Sequence, residues 1–213
     1  MRVLFIGCVR SSELFLNKLL QMKADIVGVV TKAEAGINAD FVDIGQICEK
    51  NQLDYIYVKN INELESKTYI QQKKPDLILC LGWSQLLDEE ILKIPAEGCI
   101  GFHPAKLPYN RGRHPLIWAL ALGLESTAST FFYMDAHADT GEIVSQRELP
   151  ISYEDDATSL YHKVMNVAVD QLEEIMNDLE KNMLQKIPQE IGGGNVWMII
   201  TLTWAVWAMC STS

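Results

Sequence analysis

Gly101-Phe102-His103-Pro104-Ala105-Lys106-Leu107-Pro108-Tyr109-Asn110-Arg111-Gly112-Arg113-His114-Pro115 follows an apolar run and carries neither a helical nor a strand period. Two histidines, two arginines and three prolines share these fifteen positions. A strand that ends in a polar loop braced by prolines holds side chains still above the carboxyl edge of a sheet. Asp139 comes 36 residues after His103, within Asp135-Ala136-His137-Ala138-Asp139-Thr140-Gly141-Glu142, a second polar turn between apolar runs. A histidine and a distant aspartate, each on a loop, are the material of a general base and its orienting partner.

Outward from that loop the chain alternates. Val3–Ile6 reads as a buried strand that stops at Gly7, and Ser11 or Ser12 can cap a helix carrying Leu14, Phe15, Leu19, Leu20 and Met22. Ile26–Val30, Tyr55–Val58, Leu77–Leu81 and Cys99–Phe102 read as further strands, with helices over Phe41–Lys50, Asn62–Gln72 and Asp88–Ile94. His114–Leu124 is apolar nearly all round and predicts a buried helix. Thr127–Met134 and Glu142–Leu149 predict two strands joined by the aspartate turn, and Asp155–Leu179 a long amphipathic helix. Strand–helix alternation over the first 125 residues implies an α/β fold, a mostly parallel sheet with helices on both faces. The antiparallel strand pair comes near the end. Ligands of such sheets sit beyond the carboxyl ends of the strands.

At 213 residues, 48% hydrophobic and 22% charged, the chain suits one globular domain. A net charge of −10 argues against a polyanionic partner, although Lys106, Arg111 and Arg113 supply a local basic patch. Cys8, Cys48, Cys80, Cys99 and Cys210 are odd in number, widely spaced and without metal-ligand spacing. At least four therefore read as reduced core residues of a cytoplasmic protein, with no metal. Nothing at the N-terminus suggests export. From Gly192 to Ser213 there is no charge, and Val196–Cys210 holds three tryptophans. That run is short for a membrane span of about 20 residues, so a docked or partner-bound terminus is the favoured reading.

Each motif has a plainer explanation. His103 alone reads as a hydrogen-bonded loop histidine, and Asp139-Thr140-Gly141 alone as a turn; only their pairing suggests chemistry. The Gly7–Ser12 loop matches neither the dinucleotide fingerprint nor the P-loop, yet Gly7, Arg10 and Ser11 at a helix start can meet a substrate phosphate. His114 can be structural or part of a site, and His137 can line the same pocket as Asp139. His162 reads as packing or surface. Gly82-Trp83-Ser84 can be strand termination, or Trp83 can stack a flat heterocycle.

At His103-Pro104, Leu107-Pro108, Arg111-Gly112 and Asp139-Thr140-Gly141 the sequence resembles the folate-dependent formyltransferase family. The order and spacing of these motifs match the family's, and the similarity covers residues 1–184, leaving 185–213 as an atypical tail. The resemblance implies a Rossmann-like domain using 10-formyltetrahydrofolate as co-substrate, with His103 as general base and Asp139 orienting it. Trp83, Leu86 and Leu87 with Asp135, His137 and Ala138 would flank the pterin. Gly7, Arg10, Ser11, Lys106, Arg111, Arg113 and His114 would meet the acceptor. One departure matters: Gly101 stands where the family has the asparagine that steadies the oxyanion. Losing such a donor costs about 100- to 1000-fold in rate, and Asn110 or a loop N–H is the expected substitute.

The tRNA branch of the family carries a second, basic domain, and the glycinamide ribonucleotide branch a Gly-rich phosphate loop that Gly7–Ser12 does not reproduce. The expected acceptor is therefore a nucleotide-activated amino-sugar of surface glycan synthesis. A glycinamide ribonucleotide or other small-amine enzyme, and a folate-binding homologue impaired by Gly101, are the alternatives. Neither nucleic acid nor membrane is expected as partner, and the oligomeric state stays open.

Overall fold

Strands β1 (Arg2–Ile6), β2 (Asp25–Thr31), β3 (Tyr55–Tyr57), β4 (Leu77–Cys80) and β5 (Cys99–His103) alternate with helices α1 (Arg10–Gln21), α2 (Gly45–Lys50), α3 (Leu64–Lys73) and α4 (Glu89–Leu92) in the computed structural model. Then follow β6 (Arg111–Gly112), α5 (Pro115–Ala121), β7 (Ser126–Tyr133), β8 (Ile143–Pro150), α6 (Ala157–Glu180) and β9 (Val196–Trp197). The structure describes residues 1–34, 40–190 and 193–197, so most of the apolar run Val196–Cys210 lies outside the described residues.

One seven-stranded sheet runs in the order β3-β2-β1-β4-β5-β7-β8. Its first five strands pair in parallel, while β7 and β8 are antiparallel additions. This is the α/β sheet that the alternation implies, and the Rossmann-like architecture that the resemblance implies. Strand side chains alternate between faces, and the core divides accordingly. Val3 and Phe5 join Leu77 and Leu79 beneath α1 and α6, while Leu4 and Ile6 join Ile78 and Cys80 against α3 and α4. Helix α6 buries Leu160, Val164, Ala168, Leu172, Ile175 and Leu179, a stripe spaced three or four residues apart. Its start is capped by Asp156, whose carboxylate accepts the N–H groups of Thr158 at 2.9 Å and Ser159 at 2.7 Å.

The chain lays β2 and β3 on one side of β1 and then returns to place β4 on the other. The switch point is therefore between the ends of β1 and β4, where Gly7 meets Leu81 and Gly82. A Cβ at Gly7 would lie 2.5 Å from the Leu81 carbonyl oxygen and from Ser12 Oγ. Ser12 Oγ donates to that carbonyl at 2.6 Å and accepts the Val9 N–H at 3.1 Å. Gly7 is thus fixed by close packing of backbone on helix. Helix α1 begins at Arg10 with Val9 as its N-cap. Ser12 serves one turn inside the helix, correcting the expectation that Ser11 or Ser12 caps it.

Two other elements differ from expectation. Helix α2 starts at Gly45 because Asp43 accepts the Gly45 N–H at 3.0 Å and Val42 donates to the Cys8 carbonyl, holding Phe41–Asp43 extended against the first loop. Helix α5 is one-sided: Leu116 and Ala119 are buried while Ile117 and Leu122 are about half exposed. Cys8, Cys48, Cys80 and Cys99 are buried free thiols, as the spacing implies. Burial pushes the Cys48 and Cys99 thiols up to about 12, which keeps them protonated and unreactive.

Ser12→Ala leaves a buried carbonyl and a buried N–H without partners at the junction of β1, β4 and α1. It is expected to lower unfolding stability by about 1–3 kcal/mol, read as a reduced urea midpoint with an unchanged slope.

Candidate active site

His103 is the last residue of β5 and is only 5% exposed. The loop after it is pinned to the antiparallel strands by side chains. Thr130 Oγ1 donates to the Ala105 carbonyl at 2.6 Å, Thr127 to that of Pro104 at 3.2 Å, and Gln146 to that of Leu107 at 3.0 Å. The loop then bends back so that the Asn110 carbonyl lies 2.7 Å from His103 Nε2. A carbonyl only accepts, so Nε2 carries the proton of the neutral ring and Nδ1 bears the lone pair.

Nδ1 faces Asp139, whose Oδ2 lies 3.7 Å away. The same Oδ2 accepts the Gly112 N–H at 2.9 Å, which holds the carboxylate in place. The Asp139 carbonyl takes Arg111 Nε at 3.1 Å and Gln189 Nε2 at 3.0 Å. Asp135 shapes the turn by accepting the His137 N–H at 2.9 Å and the Thr140 hydroxyl at 2.6 Å. Gly141 is fixed by space, because a Cβ there would lie 1.7 Å from the Tyr133 carbonyl oxygen. Two groups 36 residues apart in sequence thus converge. At 3.7 Å the carboxylate is one small movement from accepting a hydrogen bond from Nδ1 once that nitrogen is protonated.

Both groups line a cleft of about 450 Å³ at the carboxyl ends of β4 and β5. Trp83 and Leu86 form one wall, and Phe132 and Met134 another. Arg113, His114 and His137 complete its polar side, with Ala138 beside them. Lys32 Nζ stands 4.9 Å from the centre of a Trp83 ring, a cation on the aromatic face. Asn110, His114 and Asp139 all have φ between 56° and 58°, the left-handed region that non-glycine residues rarely adopt. Strain of this kind clusters where side chains must be aimed. Cys8, at the same sheet edge, is no nucleophile: burial pushes its thiol up to about 11. Among the described residues, no three His, Cys, Asp or Glu side chains gather as a metal site.

Of the residues singled out from sequence, Trp83, Leu86, His103, Arg113, His114, His137, Ala138 and Asp139 meet at this cleft. The others are placed elsewhere. Leu87 is buried in the core among Ile61 and Ile91. Lys106 extends along the sheet to pair with Glu148 at 2.7 Å. Arg111 spends its guanidinium on the Asp139 carbonyl and on Gln189. Gly7 and Ser11 belong to the packing of α1, and Arg10 opens that helix exposed, its N–H bound to the Asp40 carbonyl. The Asn110 carboxamide turns toward Asn195 and Trp197 rather than the cleft, so its contribution is the main-chain carbonyl. Phe132 and Met134 escaped the sequence reading, although alternation along β7 puts both on one face. Gln189 and Asn195 carried no local signal, and Trp197 only its place in the charge-free tail.

A family profile described as Formyl transferase matches residues 1–176. Methionyl-tRNA formyltransferase from Acetivibrio thermocellus is 28% identical over 193 residues, covering 89% of this chain and 62% of that protein. The chain thus spans under two thirds of the length of such relatives. In fold, it superposes on an N-formyltransferase from Helicobacter canadensis, solved with folinic acid and dTDP-3-aminofucose, with a TM-score of 0.73. Identity there is 18%, over 92% of this chain and 70% of that one. Phosphoribosylglycinamide formyltransferase from Bacillus halodurans gives the same TM-score, 0.73, at 19% identity, over 87% of this chain and 100% of that one. With the profile match spanning most of its length and His103 and Asp139 converging on one cleft, the chain belongs to the formyl transferase family.

Proposed function

We propose that this chain is an N-formyltransferase that moves a formyl group from 10-formyltetrahydrofolate to the amine of a nucleotide-linked amino-sugar. The observation that carries the reading is His103 Nδ1 open toward Asp139 in a cleft with aromatic walls. A reduced pterin is flat and edged with donors and acceptors. The Trp83, Leu86, Phe132 and Met134 walls and the main chain of the Asp135–Asp139 turn suit such a group. The folate supplies the formyl group in activated form when bound.

The chain's own residues handle protons and charge. An amine that attacks a carbonyl gains positive charge and must lose a proton, and His103 Nδ1 is the base placed to take it. The imidazolium that results is met by the Asp139 carboxylate, while the Asn110 carbonyl keeps its bond to the Nε2–H. Arg113 offers positive charge and His114 a ring donor at the other side of the cleft, which suits an acceptor bearing phosphate. The whole chain is strongly acidic, so this local charge is what selects an anionic small molecule.

A second reading is favoured by the sequence relatives, which include methionyl-tRNA formyltransferases: the acceptor would then be the amine of an aminoacyl-tRNA. A folate-coupled assay with a panel of dTDP-, UDP- and GDP-amino-sugars, glycinamide ribonucleotide and methionyl-tRNA separates the two. Turnover is expected with an amino-sugar nucleotide, and exclusive turnover with methionyl-tRNA overturns the proposal.

His103→Asn and Asp139→Asn are each expected to lower kcat by about 100- to 10,000-fold, with the wild-type rate falling as acidification protonates His103. A flat pH–rate profile over the neutral and weakly acidic range counts against His103 as the base. Gly101 lies on the same face of β5 as His103. A Cβ there would meet Met134 Cγ and Phe132 Cζ at 3.1 Å, a fit that the flexible methionine can accommodate. Gly101→Asn is therefore expected to raise kcat by roughly 100- to 1000-fold, by adding a donor to the charge that develops in transfer. An unchanged rate would show that another group already fills that role.

A further inference from the structure

The tautomer of His103 depends on where the Asn110 carbonyl stands, and Asn110 sits at φ 58°, a conformation its own chain does not favour. What holds it there comes from the opposite end of the sequence. The Asn110 N–H donates to Asn195 Oδ1 at 3.0 Å, and Asn195 Nδ2 donates back to Asn110 Oδ1 at 3.2 Å. Trp197 Nε1 donates to the same Oδ1 at 2.8 Å. The flanking main chain is laddered as well, Arg111 N–H to the Asn195 carbonyl at 3.0 Å and Arg113 N–H to the Trp197 carbonyl at 3.2 Å. The Trp197 ring is fixed in turn by stacking on Trp118, with centroids 4.4 Å apart.

We propose that Trp197, together with Asn195, is a positioning residue for His103: the two clamp Asn110 so that its carbonyl locks the imidazole as the Nε2–H form and leaves Nδ1 to take the proton. The inference rests on the role given to His103 above, but the proton's position on the ring can be measured without turnover. Asp139 is the carboxylate facing His103, while Asp40, Arg113, His114 and His137 line the same cleft. None of these touches Trp197 through a side-chain hydrogen bond, so loss of the indole donor reaches His103 through Asn110.

The test uses the full chain with isotope-labelled histidine imidazoles. The sequence has only four histidines to assign. NMR of the wild type is expected to show His103 protonated on Nε2. Trp197→Phe keeps the stack on Trp118 and removes the donor. It is expected to give a mixture of ring tautomers and an acid limb of the pH–rate profile displaced to lower pH, because the protonated ring loses a fixed acceptor. A roughly fivefold loss in kcat at constant KM accompanies it, the size of one hydrogen bond. A folded Trp197→Phe protein whose His103 signals and pH profile match the wild type overturns the proposal. Should that variant not fold, Asn195→Ala takes its place in the same two measurements, with tautomer mixing and a displaced acid limb again expected and wild-type behaviour again overturning the proposal. Combining Trp197→Phe with Asn110→Gly adds no further change to the ring if both act through the one bond; additive changes also overturn it.

Discussion

Strand β5 is where a parallel sheet becomes antiparallel, and the site exists because of that reversal. Ile100 pairs with Tyr133 and His103 with Thr130, so β7 leaves the sheet beside the start of β5, away from His103. The Asp139 turn must therefore return across three strand residues, about 10 Å, to reach the imidazole. Gly141 permits it, since the returning main chain runs directly against the Tyr133 carbonyl. The same reversal supplies Phe132 and Met134 as one wall of the cleft, and Thr130 and Gln146 as pins for the loop. A parallel strand in that place would have carried its following loop to the cleft by default, but with a helix where the aspartate now stands.

Proton placement follows from this scaffold. His103 is nearly sealed from water, so in the proposed transfer solvent would not meet the charge formed on it, and the groups that would are fixed in advance. Asp139 faces Nδ1 and a carbonyl faces Nε2; in the proposed transfer the first would answer the charge and the second would decide which nitrogen acquires it. Three non-glycine residues around the cleft hold left-handed backbone, and each is tied by side chains or by a following proline. The strain is carried because packing elsewhere is ample, with Val3–Ile6 of β1 wholly buried on both faces.

The fold was legible because periodicity is a property of the local chain. Val3–Ile6 and Leu77–Leu81 declare themselves as short unbroken apolar runs, and Asp155–Leu179 by a helical stripe. His103 and Asp139 were legible as candidates only through their pairing, since each alone reads as an ordinary loop or turn residue. Illegible were the features decided by partner choice. Lys106 and Arg111 look like substrate cations in sequence, yet Glu148 and the Asp139 carbonyl claim them, and nothing nearby in the chain announces either partner. Gly7 looks like an anion-loop glycine, whereas its reason is Ser12 and Leu81 in close contact. The two-residue strands β6 and β9 have no period to read, so the reach of Asn195 and Trp197 to Asn110 could come only from coordinates.

Gly101 and His103 are two residues apart on one strand and so share a face, which ties the substitution at one to the demands on the other. With no side chain at 101, Phe132 and Met134 close over the strand and make that part of the cleft apolar. An apolar wall strengthens every remaining charge interaction beside it, because less polarisable surroundings screen less. The His103–Asp139 pair therefore acts at a lower effective dielectric here than it would beside an asparagine. Relative to the asparagine that the family resemblance implies at this position, the missing donor and the strengthened pair would oppose one another, and the magnitudes favour the loss: one preorganised donor is worth about 2.7–4 kcal/mol. A charge pair still 3.7 Å apart has to tighten before it can return as much.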